Sequence, residues 1–122
     1  MKISQALREK TLLSFELFPP KTEKGMENLP GTIDHLMKYK PAYISCTYGA
    51  GGGNVGANRE VCQMIKKAGS TPVTHFTVIR NTKEGIKEQL DQYLAEGVDH
   101  MLALRGDIPL GETTTCGDFN YA

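Results

Sequence analysis

A glutamate interrupts an apolar run near the start of the chain: Glu16 stands between Phe15 and Leu17 in the segment Leu12–Phe18. In an extended backbone, alternation turns it to the face opposite those neighbours. A buried carboxylate is costly unless it is paired or takes up a proton. A carboxyl with a raised pKa is what general-acid chemistry near neutral pH requires. Pro19-Pro20 stiffens the exit from this run. Two readings stand open, a candidate proton donor and a glutamate on a solvated strand face.

Three further segments carry groups that could do chemistry. Ser45-Cys46-Thr47-Tyr48 runs into Gly49-Ala50-Gly51-Gly52-Gly53-Asn54. Thr74, His75 and Thr77 lie in Val73–Val78, and Arg105-Gly106-Asp107 follows Leu102-Ala103-Leu104. Gly51 to Gly56 satisfies G-x-G-x-x-G, but no acidic residue stands where a ribose-binding one belongs, and the loop follows the second strand instead of the first. No Gly-Lys-Ser/Thr ending exists, which excludes a P-loop. What survives is a backbone-exposing loop that a flat or anionic group could approach, or a plain surface loop. His75 is a candidate contact or a hydrogen-bonded core histidine. Arg105 and Asp107 offer a cationic fork and a carboxylate, or an ion pair that shapes the loop. Cys46, Cys62 and Cys116 read as inert small hydrophobes or exposed thiols.

These groups need elements to position them. The apolar runs Leu12–Phe18, Ala42–Tyr48, Pro72–Val78 and Asp99–Arg105 read as strands, and they recur every 27 to 30 residues. Helical stripes fill the gaps: Ile33, Leu36 and Met37 in Leu29–Tyr39, with Pro30 in the first turn; Val61, Met64, Ile65 and Ala68 in Asn58–Ala68; Ile86, Leu90, Tyr93 and Leu94 in Thr82–Glu96. Gly69 and Gly97 stand as stops, and Asn81 with Glu84 has the spacing of a capping box. A short opening helix over Ser4–Glu9 would be capped by Ser4. Strand, helix and parallel strand repeating at this period specify α/β architecture with a parallel sheet. Periodicity leaves open a small doubly wound sheet or half of a (β/α)8 barrel. In either, the carboxyl ends of the strands form the ligand-binding rim, and all four strands are expected to deliver polar groups to it.

Composition narrows the function classes. The chain has 122 residues, with 14 Lys+Arg against 14 Asp+Glu and 39% apolar residues. A zero net charge argues against nucleic acid or an anionic membrane as the main partner. No apolar run approaches the ~20 residues of a membrane span, and Met1–Lys10 is too polar for a secretory signal. Three cysteines without CxxC spacing encode neither a disulfide framework nor a zinc clip, and the histidines lack metal-ligand spacing. A reduced, cytoplasmic, single-domain protein over residues 1–122 is the expectation.

Four motifs in register carry a resemblance. Ser14-Phe15-Glu16-Leu17-Phe18-Pro19-Pro20-Lys21-Thr22, Ser45-Cys46-Thr47-Tyr48-Gly49-Ala50-Gly51-Gly52, Thr74-His75-Phe76-Thr77 and Leu102-Ala103-Leu104-Arg105-Gly106-Asp107-Ile108-Pro109 are similar to the first four strand motifs of the methylenetetrahydrofolate reductase family. Leu17 and Val78 stand where members often have Phe and Cys, and the loop after the second strand is unusually rich in glycine. The resemblance implies the N-terminal half of a (β/α)8 TIM barrel from an FAD-dependent oxidoreductase. That enzyme reduces 5,10-methylenetetrahydrofolate to 5-methyltetrahydrofolate with NAD(P)H. By the same resemblance Glu16 is the acid that protonates folate N10, and Asp107 favours the cationic iminium. Thr47, His75, Arg105, Gly106, Asp107, Tyr121 and Ala122 match flavin-contacting positions. A chain of this length is too short for a whole barrel of about 250 residues. It is expected to be a fragment that binds FAD weakly alone, turns over little, and pairs with a second copy or a complementary chain. A non-catalytic half-barrel and a small nucleotide-binding module are the alternatives.

Overall fold

The computed structural model describes residues 2–48, 55–108, 110–112 and 117–122. Its elements run α1 (Ile3–Glu9), β1 (Ser14–Leu17), α2 (Glu23–Met37), β2 (Tyr43–Cys46), α3 (Val55–Lys67), β3 (Pro72–Thr77), α4 (Lys83–Ala95) and β4 (His100–Leu104). Every expected strand is present, each shortened by one to three residues at one or both ends. The glycine loop at 49–54, Pro109 and Cys116 lie outside the described residues.

The four strands form one sheet in the order β1-β2-β3-β4, and each neighbouring pair is parallel. A doubly wound sheet needs a switch point where the strand order reverses. Sequential order without a reversal is the arrangement of the N-terminal half of a (β/α)8 barrel, so the topology resolves what periodicity left open.

Alternation divides the strand side chains between two faces. Leu17, Ile44, Cys46, Thr74 and Phe76 are buried, and the apolar ones among them join one cluster with Leu29 and Ile33 of α2, Val61, Cys62 and Ile65 of α3, and Ile86 and Tyr93 of α4. The Phe76 ring meets Tyr48 at 5.5 Å and Tyr93 edge-on at 6.1 Å between centroids. The opposite face carries Glu16, Ser45, Val73, His75 and Leu102, with hollows instead of α2, α3 and α4 against it.

Helix starts differ from the sequence expectations, for local reasons. α2 begins at Glu23, six residues before the expected Leu29, because the Thr22 hydroxyl accepts from the Gly25 N–H at 3.0 Å and caps it. Pro30 therefore sits inside α2, where its ring is exposed and its missing N–H forfeits one helical bond. The same Thr-x-x-Gly cap starts α4: Thr82, not Asn81, accepts from Gly85 N at 3.1 Å. α1 starts one residue early at Ile3, with no side-chain cap from Ser4 or Lys2. Among the described residues no helix is long and apolar enough to cross a membrane.

Candidate functional site

Two hollows open on the sheet face opposite α2, α3 and α4. The lower, about 650 Å³, lies at the amino ends of the strands and is lined by Ser14, Glu16, Tyr43, Ser45, His75, Asp99 and His100, with Lys2, Ile3 and Ser4 of the α1 segment closing its base. The upper, about 430 Å³, lies at the carboxyl rim, where Thr47, His75, Thr77, Arg105, Gly106 and Asp107 meet an apolar wall of Phe18, Tyr48 and Leu104. His75 lines both.

The expected rim is thus split between two levels. Glu16 occupies the lower level beside its register partner Ser45, and it does not share a hollow with Asp107. His75 joins the two levels: its Nε2 stands 3.4 Å from Glu16 Oε2. Its side chain is 12% exposed and that of Glu16 50% exposed. Glu16 is therefore not the enclosed carboxylate that its apolar neighbours suggest. β1 is an edge of this sheet, and among the described residues no strand pairs with it on its outer side. Cys46 and Thr74 face the helices, so of the polar groups on β2 and β3 they belong to the core.

At the rim, the pairing of β3 with β4 continues past both strands. Val78 N donates to Leu104 O at 3.0 Å and Ile79 N to Arg105 O at 2.8 Å, which fixes the Arg105 backbone beside the β3 exit. Gly106 then takes φ +90, the left-handed region that glycine reaches without strain, and turns the chain so that Asp107 faces the hollow. Arg105 Nε donates to Gly106 O at 3.1 Å. Among the described residues no ion pair joins Arg105 to Asp107, so both charged groups are presented to the hollow. Tyr121 is 83% exposed, and neither it nor Ala122 lines either hollow. The segment before them is tied elsewhere: Asp118 N donates to Asn81 O at 3.1 Å, and Asp118 Oδ2 accepts from Lys83 N at 3.0 Å.

The cysteines in view are structural. Burial pushes the Cys46 and Cys62 thiols up to about 12, with the nearby Cys62 adding to the effect on Cys46. Both are neutral at physiological pH and neither is a nucleophile there. Among the described residues no group of three His, Cys, Asp or Glu is placed to hold a metal ion.

The sequence reading missed the polar residues behind the rim. Asn58 is fully buried, on the same stripe of α3 as Val61, Cys62 and Ile65. An amide at i of an i, i+3, i+4, i+7 apolar pattern was the available signal.

A sequentially ordered parallel half-barrel with acid, imidazole, hydroxyl and guanidinium groups on its concave side defines a barrel-enzyme scaffold. Comparison with known proteins narrows this. The methylenetetrahydrofolate reductase family model matches residues 2–122, and the chain belongs to that family. It is 38% identical over 98 residues to a 5,10-methylenetetrahydrofolate reductase of Pectobacterium carotovorum, covering 80% of this chain and 33% of the relative. The corresponding Salmonella typhimurium protein is 37% identical over 100 residues, 81% of this chain and 34% of the relative. An Arabidopsis thaliana protein named methylenetetrahydrofolate reductase (NADH) 1 is 37% identical over 103 residues, 84% of this chain and 17% of the relative. The chain thus spans about a third of the length of the bacterial relatives it matches.

Proposed function

We propose that residues 1–122 act as one partial barrel domain of a cytoplasmic oxidoreductase that reduces 5,10-methylenetetrahydrofolate to 5-methyltetrahydrofolate, with FAD as cofactor and NAD(P)H as donor. The observation that carries this reading is the rim hollow, in which a family-matched chain presents Thr47, His75, Arg105, Gly106 and Asp107 together.

The donor set suits a flavin ring. Phe18, Tyr48 and Leu104 give an apolar wall for a flat aromatic system, while the hydroxyls of Thr47 and Thr77, the Arg105 guanidinium and the Gly106 backbone give a polar edge. About 430 Å³ accommodates the ring system rather than a whole dinucleotide, so the remaining contacts, Tyr121 and Ala122 among them, would come from elsewhere. The chemistry supplied by bound FAD would be the relay of hydride from nicotinamide to folate. Thr47, just past the end of β2, would meet both flavin and nicotinamide, as the family resemblance implies. Glu16 would hold the proton that goes to N10 of the folate as its five-membered ring opens. His75 Nε2, at 3.4 Å, is the group with which that carboxyl can exchange it. Asp107 would place negative charge where the iminium cation forms.

Titration of the chain with FAD, followed by flavin fluorescence, tests the site. Saturable binding that Arg105→Ala and Asp107→Asn weaken is expected, and absence of saturable binding by the unaltered chain overturns the reading. Where flavin-dependent NAD(P)H oxidation is measurable, Glu16→Gln should remove its folate-stimulated part and spare the rest.

The exposure of β4 favours a second feature of this reading. Met101, Leu102 and Leu104 are 37–49% exposed on that edge strand, and an unpaired apolar edge invites pairing. A second copy or a complementary chain would cover it, and light scattering of the purified chain reads the outcome directly.

A further inference from the structure

Asn58 spends all its hydrogen-bonding capacity on the backs of the rim strands. Its Nδ2 donates to the carbonyls of Cys46 at 3.1 Å and Thr47 at 2.9 Å. Its Oδ1 accepts from the Tyr93 hydroxyl of α4 at 2.6 Å and from the Thr74 hydroxyl of β3 at 2.8 Å, and the Cys62 thiol lies 3.7 Å away. The Thr74 hydroxyl also lies 3.0 Å from the carbonyl of His75. One buried carboxamide therefore touches the backbone of Thr47 directly and holds β3 by the Thr74 side chain, whose single hydroxyl proton goes either to Asn58 Oδ1 or to the His75 carbonyl. The donors on its oxygen side and the acceptors on its nitrogen side leave it a single orientation. β2 ends at Cys46, so the two carbonyls that Asn58 holds are that of the last strand residue and that of the first residue beyond it.

We propose that Asn58 is a positioning residue for the rim: it sets where Thr47 stands relative to the upper hollow, and by holding the Thr74 side chain it ties β3, and with it the adjacent His75, to the same point. The role of those two residues as flavin contacts rests on the proposed function, whereas the placement itself does not. Removing the donors of a buried amide takes a hydrogen bond from two carbonyls and leaves that of Thr47 only the weak Cys46 thiol at 3.5 Å, and a displaced rim backbone costs affinity for whatever the rim holds.

The test compares the unaltered chain with Asn58→Asp, which keeps the shape but turns an acceptor toward two carbonyl oxygens. A second variant, Tyr93→Phe, loosens the amide from behind without touching Thr47. Ile33→Val, on the buried face of α2 in the core, serves as the control for general destabilisation. All are measured at the same interval below their own melting temperatures. The Thr47 amide, which donates to Leu17 O at 2.9 Å, is followed by hydrogen exchange against the Ile44 amide, which donates to Thr71 O at 3.1 Å. In Asn58→Asp the Thr47 amide should exchange about tenfold faster relative to Ile44, and FAD affinity should fall about tenfold. Tyr93→Phe should move both readouts the same way by about threefold, and it decides the matter if Asn58→Asp does not fold. Ile33→Val should shift the two amides together and leave FAD affinity alone. A Thr47 amide that keeps step with Ile44 in the Asn58 and Tyr93 variants overturns the proposal. Failure of the unaltered chain to bind FAD would instead remove the proposed function, and the exchange ratio would still decide the role of Asn58.

Discussion

Deleting a buried thiol should flatten the alkaline side of the stability profile. Cys46 and Cys62 are both fully buried in the core cluster. Their thiols are pushed from 9.0 up to about 12, chiefly because burial disfavours the thiolate. In the unfolded chain they ionise near 9.0, whereas in the folded chain they keep their protons to about 12. Between those limits the folded state binds more protons than the unfolded one, so stability falls as pH rises and is fully present below the lower limit. Well inside the window each thiol contributes a slope of about −1.4 kcal/mol per pH unit, a value that does not depend on where the upper limit falls. Two thiols together give roughly −2.7 kcal/mol per unit, a large share of the 5–15 kcal/mol that holds a typical domain. Tyr48 and Tyr93, also raised by burial, add a loss of the same sign at higher pH, so the comparison belongs between pH 9 and 10, where the thiol slope is still developing. Urea midpoints in reductant for the unaltered chain, Cys46→Ala, Cys62→Ala and the double variant measure it. Each alanine lowers stability at every pH through lost packing, and the slope carries the diagnosis. A double variant whose slope equals that of the unaltered chain refutes the argument.

Pro30→Ala should stabilise α2 by about 1–3 kcal/mol, because the ring is exposed and the restored N–H regains a bond to the Met26 carbonyl; an unchanged or lower melting temperature contradicts this. Gly117→Ala should detach the Asp118 segment, since a Cβ there would stand 2.6 Å from the Asn81 carbonyl oxygen. Faster exchange of the Asp118 amide, which donates to that carbonyl, is the readout. Tyr48→Phe should cost about 1 kcal/mol in urea unfolding by removing the hydroxyl that donates to Gln89 Oε1 at 2.5 Å, while the ring contact with Phe76 remains.

Which parts of this molecule were legible in its sequence follows from the range of the forces involved. The four strands are short apolar runs, and a strand covered by helices needs little else to identify it. Alternation placed Glu16 opposite Phe15 and Leu17 correctly, because the period of a strand is a local property. Its exposure was not local: it depends on what lies beyond β1, which no neighbour in sequence encodes. The start of α2 was misplaced because Pro30 was read as marking a first turn, although Thr22-Glu23-Lys24-Gly25 carried a hydroxyl cap six residues earlier. At α4 the cap was misassigned by one residue, and the displaced Asn81 proves to be occupied with β3: its Nδ2 donates to the carbonyls of Thr77 at 3.4 Å and Ile79 at 3.1 Å. The polar groups of the upper hollow were all named from motif positions. Their division into two levels, joined at His75, required the register.

The amides behind the rim answer a demand that parallel sheets create. Where a strand leaves the ladder toward a ligand-binding loop, its last carbonyls lose their partners while still partly buried, and each needs a donor. Here Asn58 supplies two on β2, and Asn81 supplies two at the exit of β3. Gln89 joins the second amide to the same exit as the first: its Nε2 donates to Asn81 Oδ1 at 3.2 Å, and its Oε1 accepts from the Tyr48 hydroxyl. Side-chain donors of this kind free the rim residues from holding the backbone in place. Thr47 and Thr77 can then turn their own hydroxyls toward the hollow, while Arg105 keeps one bond to the Gly106 carbonyl. On the proposed role of Asn58, the polar residues of the rim are placed by residues that do not line the hollow, and substitutions at Asn58, Asn81 or Gln89 should act on the hollow before they act on the sheet.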